Sequence, residues 1–134
     1  MIVPNLAVAD LPRAVAFWCD VLGFSVQFVV GPDATMQDGP EGGVFASLEK
    51  GGQQIMLQTA ESLGAELPEA VAGSAPRGTL YLRGWDPDPV LGRLPAEHLV
   101  KPPFRQWYGM REAYIRDPDG HILCLGVADG PAPE

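Results

Sequence analysis

The residues able to do chemistry in this chain are few, and their spacing limits what they can do. Two histidines are present, His98 and His121, and two cysteines, Cys19 and Cys124. His121 directly follows the turn Asp117-Pro118-Asp119-Gly120, where side chains are usually solvated, and His98 sits near a loop. Both are expected to be surface histidines. Acids that could act as proton carriers are Glu49, Glu112 and Asp38, and none stands at a spacing that pairs it with a base or nucleophile. No nucleophile–base set, phosphate-binding glycine loop or basic stripe is found. What remains is aromatic and polar. Trp107 and Tyr108 precede Arg111-Glu112, and neighbouring strand residues point to opposite faces. Such side chains suit stacking and hydrogen bonding better than bond breaking.

Those residues are carried by a turn between two apolar runs. Residues 108–116 lead into Asp117-Pro118-Asp119-Gly120, and His-Ile-Leu-Cys-Leu follows. Pro118 presets the backbone for the second turn position and Gly120 suits the fourth, so the stretch predicts a hairpin over 108–127. An earlier piece matches it: Val44-Phe45-Ala46-Ser47-Leu48, then Gly51-Gly52, then Gln-Gln-Ile-Met-Leu.

The chain in order repeats one pattern. Residues 1–8 predict a strand with Pro4 inside it, which places it at a sheet edge or in an exchanged position, because proline removes a ladder donor. Asp10 is suited to cap a helix with Pro12 in its first turn. Leu11, Ala14, Val15, Trp18 and Leu22 give residues 11–22 one buried face, ended by Gly23. Strands follow at 24–30, 43–49 and 53–59, with a loop at 31–43. Residues 61–77 predict a linker with a short helix near Glu61 to Leu67. The order then restarts. Thr79–Arg83 is a strand, Asp86 opens a short proline-bearing helix, and a strand between His98 and Trp107 is kinked by Pro102-Pro103. The hairpin closes the second module, and the tail from Asp129 is expected to fray. The reading is thus α+β: two βαβββ modules at 1–60 and 78–128, a linker at 61–77 and a tail at 129–134, within a single domain.

Composition excludes several classes. The chain has 134 residues, 46% of them hydrophobic, which fits one compact unit or two small modules sharing a sheet. A formal charge of −8 argues against nucleic acid, whose phosphates need a basic patch. It permits a cationic ligand. No apolar run is long enough to span a membrane, and no basic segment followed by an apolar core marks a secretory leader. Two isolated cysteines form no disulfide framework, so a reducing cytoplasm is the expected compartment.

The chain resembles the vicinal oxygen chelate superfamily, which has the glyoxalase and bleomycin-resistance fold. The residues that carry the resemblance are Asp10-Leu11, Ala16-Phe17-Trp18 and Leu22-Gly23-Phe24 near one end. At the other are Trp107-Tyr108-Gly109-Met110-Arg111-Glu112 and Arg116-Asp117-Pro118-Asp119-Gly120. The resemblance implies a curved sheet around a cleft, with helices outside. Family enzymes place metal ligands at positions that correspond here to Val3, Met56, Thr79 and Cys124. These are poor donors for a divalent site. That departure favours the metal-free bleomycin-resistance branch, with no cofactor, acting by sequestering a drug. The alternative is a superfamily enzyme, a glyoxalase-like lyase or isomerase or a dioxygenase, with a degenerate or displaced site.

The resemblance also implies a homodimer with a ligand cleft at each subunit interface, its first strand exchanged at Pro4. Strand parity from the four positions points Asn5, Gln54, Gln58, Tyr81, Arg83 and Ile122 into the cleft along with them. The expected ligand-binding set is therefore Asn5, Met56, Gln58, Thr79, Tyr81, Arg83, Trp107, Tyr108, Arg111 and Cys124. The opposite parity, including Leu6, Val8, Ile55, Leu57, Leu80, Leu82, Leu123 and Leu125, is apolar, as packing under helices requires. The mixed aromatic and amide lining suits a small planar or cationic ligand.

Overall fold

The computed structural model describes residues 1–73 and 78–130. The chain divides into two compact units, Met1–Ser74 and Ala75–Glu134. Each has a mixed sheet built on the same plan.

In the first unit, strand β1 (Asn5–Val8) pairs parallel with β5 (Gln53–Thr59), and β4 (Phe45–Lys50) pairs antiparallel with both β5 and β2 (Ser25–Val30). A two-residue strand, β3 (Met36–Gln37), adds an edge beside β2 within the predicted loop, giving the order β1-β5-β4-β2-β3. Helix α1 (Leu11–Ala16) opens where the sequence places it. Asp10 adopts an extended backbone and its carboxylate accepts a hydrogen bond from the Arg13 N–H at 3.1 Å. The helix does not stay regular to its end. Phe17–Val21 widens into a π-turn before Gly23, at φ +82°, stops it. The wide turn takes up an extra residue without turning the apolar face outward, so Phe17, Trp18, Val21 and Leu22 are all buried. With Val8, Leu48, Ile55 and Leu57 they form this unit's core. Helix α2 (Ala60–Glu66) follows β5 directly, capped by the Thr59 hydroxyl, so the predicted linker begins as an ordered helix. Its last residues, 74–77, lie outside the described residues, as do 131–134 of the predicted tail.

The second unit runs β6 (Thr79–Arg83), α3 (Pro87–Leu91), β7 (Leu99–Arg105), β8 (Met110–Arg116) and β9 (Ile122–Ala128), in the sheet order β6-β9-β8-β7. Strand β6 is parallel to β9 and the other pairs are antiparallel. Strand β7 holds Pro102 and Pro103 at the sheet edge, with irregular register around them, where the missing N–H donors leave no ladder bond unmade. One face carries Ala113, Ile115, Leu123 and Leu125, all fully buried. Helix α3 contacts β8 and β9 and buries Val90, and the Asp86 carboxylate caps it through the Asp88 N–H.

The β8–β9 turn corrects one expectation. His121 is not a solvated surface residue: its side chain is 13% exposed and its Nδ1 lies 2.7 Å from Asp117 Oδ2. Asp117 is itself buried, and its other oxygen accepts the N–H groups of Asp119 and His121. The carboxylate is the hub of the turn, and the imidazole must fold inward to reach it. Its hydrogen bond and charge outweigh the desolvation that opposes ionisation, so the His121 pKa is raised. His98 is also tied down, through Nδ1 to the Arg116 carbonyl at 2.8 Å.

Candidate functional site

The expected site residues fall into three groups. In the first unit Asn5, Met56 and Gln58 share the sheet face opposite α1. Asn5 stands beside Met56 in register. Asn5 Nδ2 donates to Gln58 Oε1 at 3.0 Å, and Gln58 Nε2 donates to the Ser62 hydroxyl at 3.0 Å. Both amides are therefore oriented by neighbours. The same face holds a stacked Phe28–Phe45 pair, with ring centroids 6.0 Å apart. It also holds a buried hydroxyl the sequence reading overlooked. A bulge at Gln27 turns that residue inward, so Ser47 donates to Gln27 and accepts from Gln54.

The second group gathers around a residue outside the expected ligand set. On the face of the second sheet opposite α3, Glu112 is fully buried. The Tyr81 hydroxyl donates to its Oε2 at 2.5 Å. The Tyr108 hydroxyl lies 2.7 Å from both carboxylate oxygens. Gln106 and Cys124 lie near it and favour its charged form. Tyr81 comes from β6 and Glu112 from β8, with β9 between them. The phenol can cross β9 because residue 126 is glycine: a Cβ there would run into the Tyr81 hydroxyl and ring carbon. Tyr114 completes the cluster. It stands beside Cys124 in register and its ring stacks on Phe104 at 6.2 Å. Arg83 and Lys101 lie over the rings of Tyr81 and Phe104, at 5.4 and 4.0 Å. Tyr81 is 40% exposed and Trp107, on the β7–β8 turn and edge-on to Tyr108, is 80% exposed.

Electrostatics fix the protonation states. Burial opposes the charge on Glu112, but hydrogen bonds from Tyr108, Tyr81, Gln106 and Cys124 outweigh it and hold the carboxyl below its ordinary range. The same contacts act in reverse on their donors. Desolvation and the bond to Glu112 push Tyr81 up to about 12, and Tyr108 is raised further, chiefly by that bond. Cys124 is pushed up to about 11, first by burial and then by the Glu112 charge, so it is a thiol and not a nucleophile.

The third group lies apart. Arg111 is on the helix side of β8. It bonds Asp88 at 2.6 Å and Asp86 at 3.6 Å, tying the strand to the start of α3. Of the Arg111-Glu112 pair, the acid faces the aromatic cluster and the cation does not. Thr79 is exposed at the start of β6, opposite Ile122. Val3 lies ahead of β1, and in register Asn5 stands beside Met56 and Tyr81 beside Cys124. Glu112 had one signal in sequence: a glycine, Gly126, inside an otherwise apolar strand marks a place where another group approaches closely.

With this geometry in view, the chain belongs to the glyoxalase/bleomycin resistance protein/dioxygenase superfamily, whose family model matches residues 2–125. No curated protein matches it. Among solved structures it is similar to a glyoxalase-related enzyme from Fulvimarina pelagi, at 20% identity and a TM-score of 0.71, covering 100% of this chain and 96% of that one. It is similar to TioX from Micromonospora sp. ML1, at 23% identity and a TM-score of 0.67, with 99% of each chain covered. It is also similar to TnmS3, an antibiotic binding protein from Streptomyces sp. CB03234, at 25% identity and a TM-score of 0.61, covering 96% of this chain and 93% of that one.

Enzymes of this superfamily hold a divalent metal, and the residues here do not fit one. The positions the resemblance gives to metal ligands hold Val3 and Met56 in the first unit and Thr79 and Cys124 in the second, and the strands place Asn5 beside Met56 and Tyr81 beside Cys124. An alkyl group, a thioether, a hydroxyl, an amide, a phenol and one buried thiol are not the imidazole and carboxylate donors such a site is built from. Among the described residues, no three histidine, cysteine, aspartate or glutamate side chains are grouped to hold a metal ion.

Proposed function

We propose that this protein binds and sequesters a flat, conjugated small molecule, an antibiotic of the bleomycin type, and does so without a metal or cofactor. The observation that carries the proposal is the aromatic face of the second sheet. Tyr81, Tyr108, Tyr114, Phe104 and the exposed Trp107 surround a carboxylate already saturated by protein donors. A carboxylate bonded in this way is a poor base and a rigid anchor. Stacking on such rings is worth about 1 kcal/mol per contact beyond the area buried. The likeness to TnmS3, an antibiotic binding protein, supports the same reading. The net charge of −8 would draw a cationic glycopeptide. The functional form in this reading is a cytoplasmic homodimer. Strand β1 is a four-residue edge strand entered through Pro4, and such a strand can be exchanged between copies.

The test is a calorimetric titration with a bleomycin-type glycopeptide in metal-free buffer, followed also by tryptophan fluorescence. Saturable binding near one ligand per chain supports the proposal, with quenching that falls in a Trp107→Phe variant. No heat and no quenching would overturn it. Stoichiometric zinc or nickel in protein purified without chelator would favour a superfamily enzyme instead.

A further inference from the structure

We infer that the ligand must meet this aromatic face with hydrogen-bond donors, N–H or O–H groups on a flat ring system, because the Tyr81 and Tyr108 hydroxyl protons at the centre of the face both point inward. The inference rests on the binding reading above and narrows its ligand class. A tyrosine hydroxyl has one proton and two lone pairs, and an ionised carboxylate only accepts. With Glu112 ionised, Tyr81 and Tyr108 both spend their single proton on it, at 2.5 and 2.7 Å. Donation thus runs from the rings toward one buried anion. What the tyrosine oxygens have left for a ligand is lone pairs, and bonding to an anion makes a hydroxyl oxygen a stronger acceptor.

The carboxylate is out of a ligand's reach. It is fully buried, and the Tyr81 and Tyr108 hydroxyls already lie 2.5 to 2.7 Å from its two oxygens. The face therefore selects by the tyrosine oxygens and not by a direct salt bridge to Glu112. Arg83 and Lys101 supply donors of their own, but they stand over the ring faces of Tyr81 and Phe104. A carbonyl or ether set against the tyrosine oxygens would meet lone pair with lone pair. An amine, amidine or phenol would not.

Two dyes separate this from stacking alone. Proflavine and acridine orange share a flat three-ring cation, and methyl groups in the second replace the amine hydrogens of the first. Titrated into the whole protein in metal-free buffer, proflavine should bind about fivefold tighter, the worth of one net hydrogen bond. In Tyr81→Phe and in Tyr108→Phe that preference should shrink while both dyes still bind, and with both hydroxyls removed it should disappear. Equal affinities in the unaltered protein would overturn the donor rule and leave the binding face standing. A preference of undiminished size in both single variants would overturn it too. If neither dye binds or quenches Trp107, the binding face fails and the donor rule with it.

Discussion

At the scale of single residues, Gly126 and Glu112 depend on each other. Gly126→Ala puts a methyl group where the Tyr81 phenol lies, so the ring must swing away and its bond to Glu112 is lost. Overpacking and a weakened buried carboxylate together should cost about 1–3 kcal/mol, read as a lower midpoint in urea unfolding. Two titrating groups give opposite pH signatures. The Glu112 carboxyl lies below its ordinary value of 4.5 in the folded protein. Its stabilisation is present above that unfolded value and is lost as pH falls through the lower folded one. Glu112→Gln should flatten the acid limb of a stability–pH curve. His121 is raised above 6.5. Its contribution is complete below the unfolded value and fades as pH rises through the folded one. His121→Asn should remove that loss, leaving stability less dependent on pH above 6.5. An unchanged curve in either variant would contradict the assignment.

At the scale of elements, both sheets divide their faces by the alternation of strand side chains. One face is apolar and packs under a helix. The other keeps polar and aromatic groups. In the first unit the division rests on α1, whose start is set by one side chain. Asp10→Ala removes the acceptor for the Arg13 N–H and should cost about 1 kcal/mol. Leu57→Ala, on the buried face of β5, empties a fully enclosed site and should cost 2–5 kcal/mol, about what such cavities cost elsewhere. Both changes lie within the first unit, so dye binding on the second sheet should persist in whatever fraction stays folded. The β7–β8 turn works differently. Gln106 N–H bonds the Met110 carbonyl and Gly109 takes φ +82°, which leaves Trp107 projecting and Tyr108 turned back onto Glu112.

At the scale of the molecule, one βαβββ plan is used twice, and the two copies have diverged in what their polar faces carry. The first copy offers amides and a phenylalanine pair. The second offers tyrosines around an anion. Neither copy carries imidazole or carboxylate at the positions the resemblance gives to metal ligands, Val3 and Met56 in the first and Thr79 and Cys124 in the second. The superfamily supports many activities on this frame, so the site and not the fold must decide the function. Dimer formation through β1 is testable by light scattering. A mass near twice 14.3 kDa is expected, and a monomer at all concentrations would refute it.

The amino-acid sequence by itself determined the elements, the repeat and the family, because each rests on local rules. Capping at Asp10 and Asp86, glycine at the helix end and turns, and alternation along β5 and β9 can all be read a few residues at a time. Local rules also placed Tyr81 and Cys124 on one face. They put Arg111 and not Glu112 in the expected ligand set, although parity says only that the two point opposite ways. The actual choice came from neighbours far off in the chain: Asp86 and Asp88 holding the cation on the helix side, Tyr81 crossing Gly126 to hold the acid on the other. Strand register was likewise beyond local rules, since only the long-range pairing sets Asn5 beside Met56 and Tyr81 beside Cys124. His121 was misplaced for the same reason: its surroundings depend on a carboxylate buried by the sheet. Only tertiary structure decides which groups share a buried charge, because that charge is satisfied by whatever donors the fold brings to it.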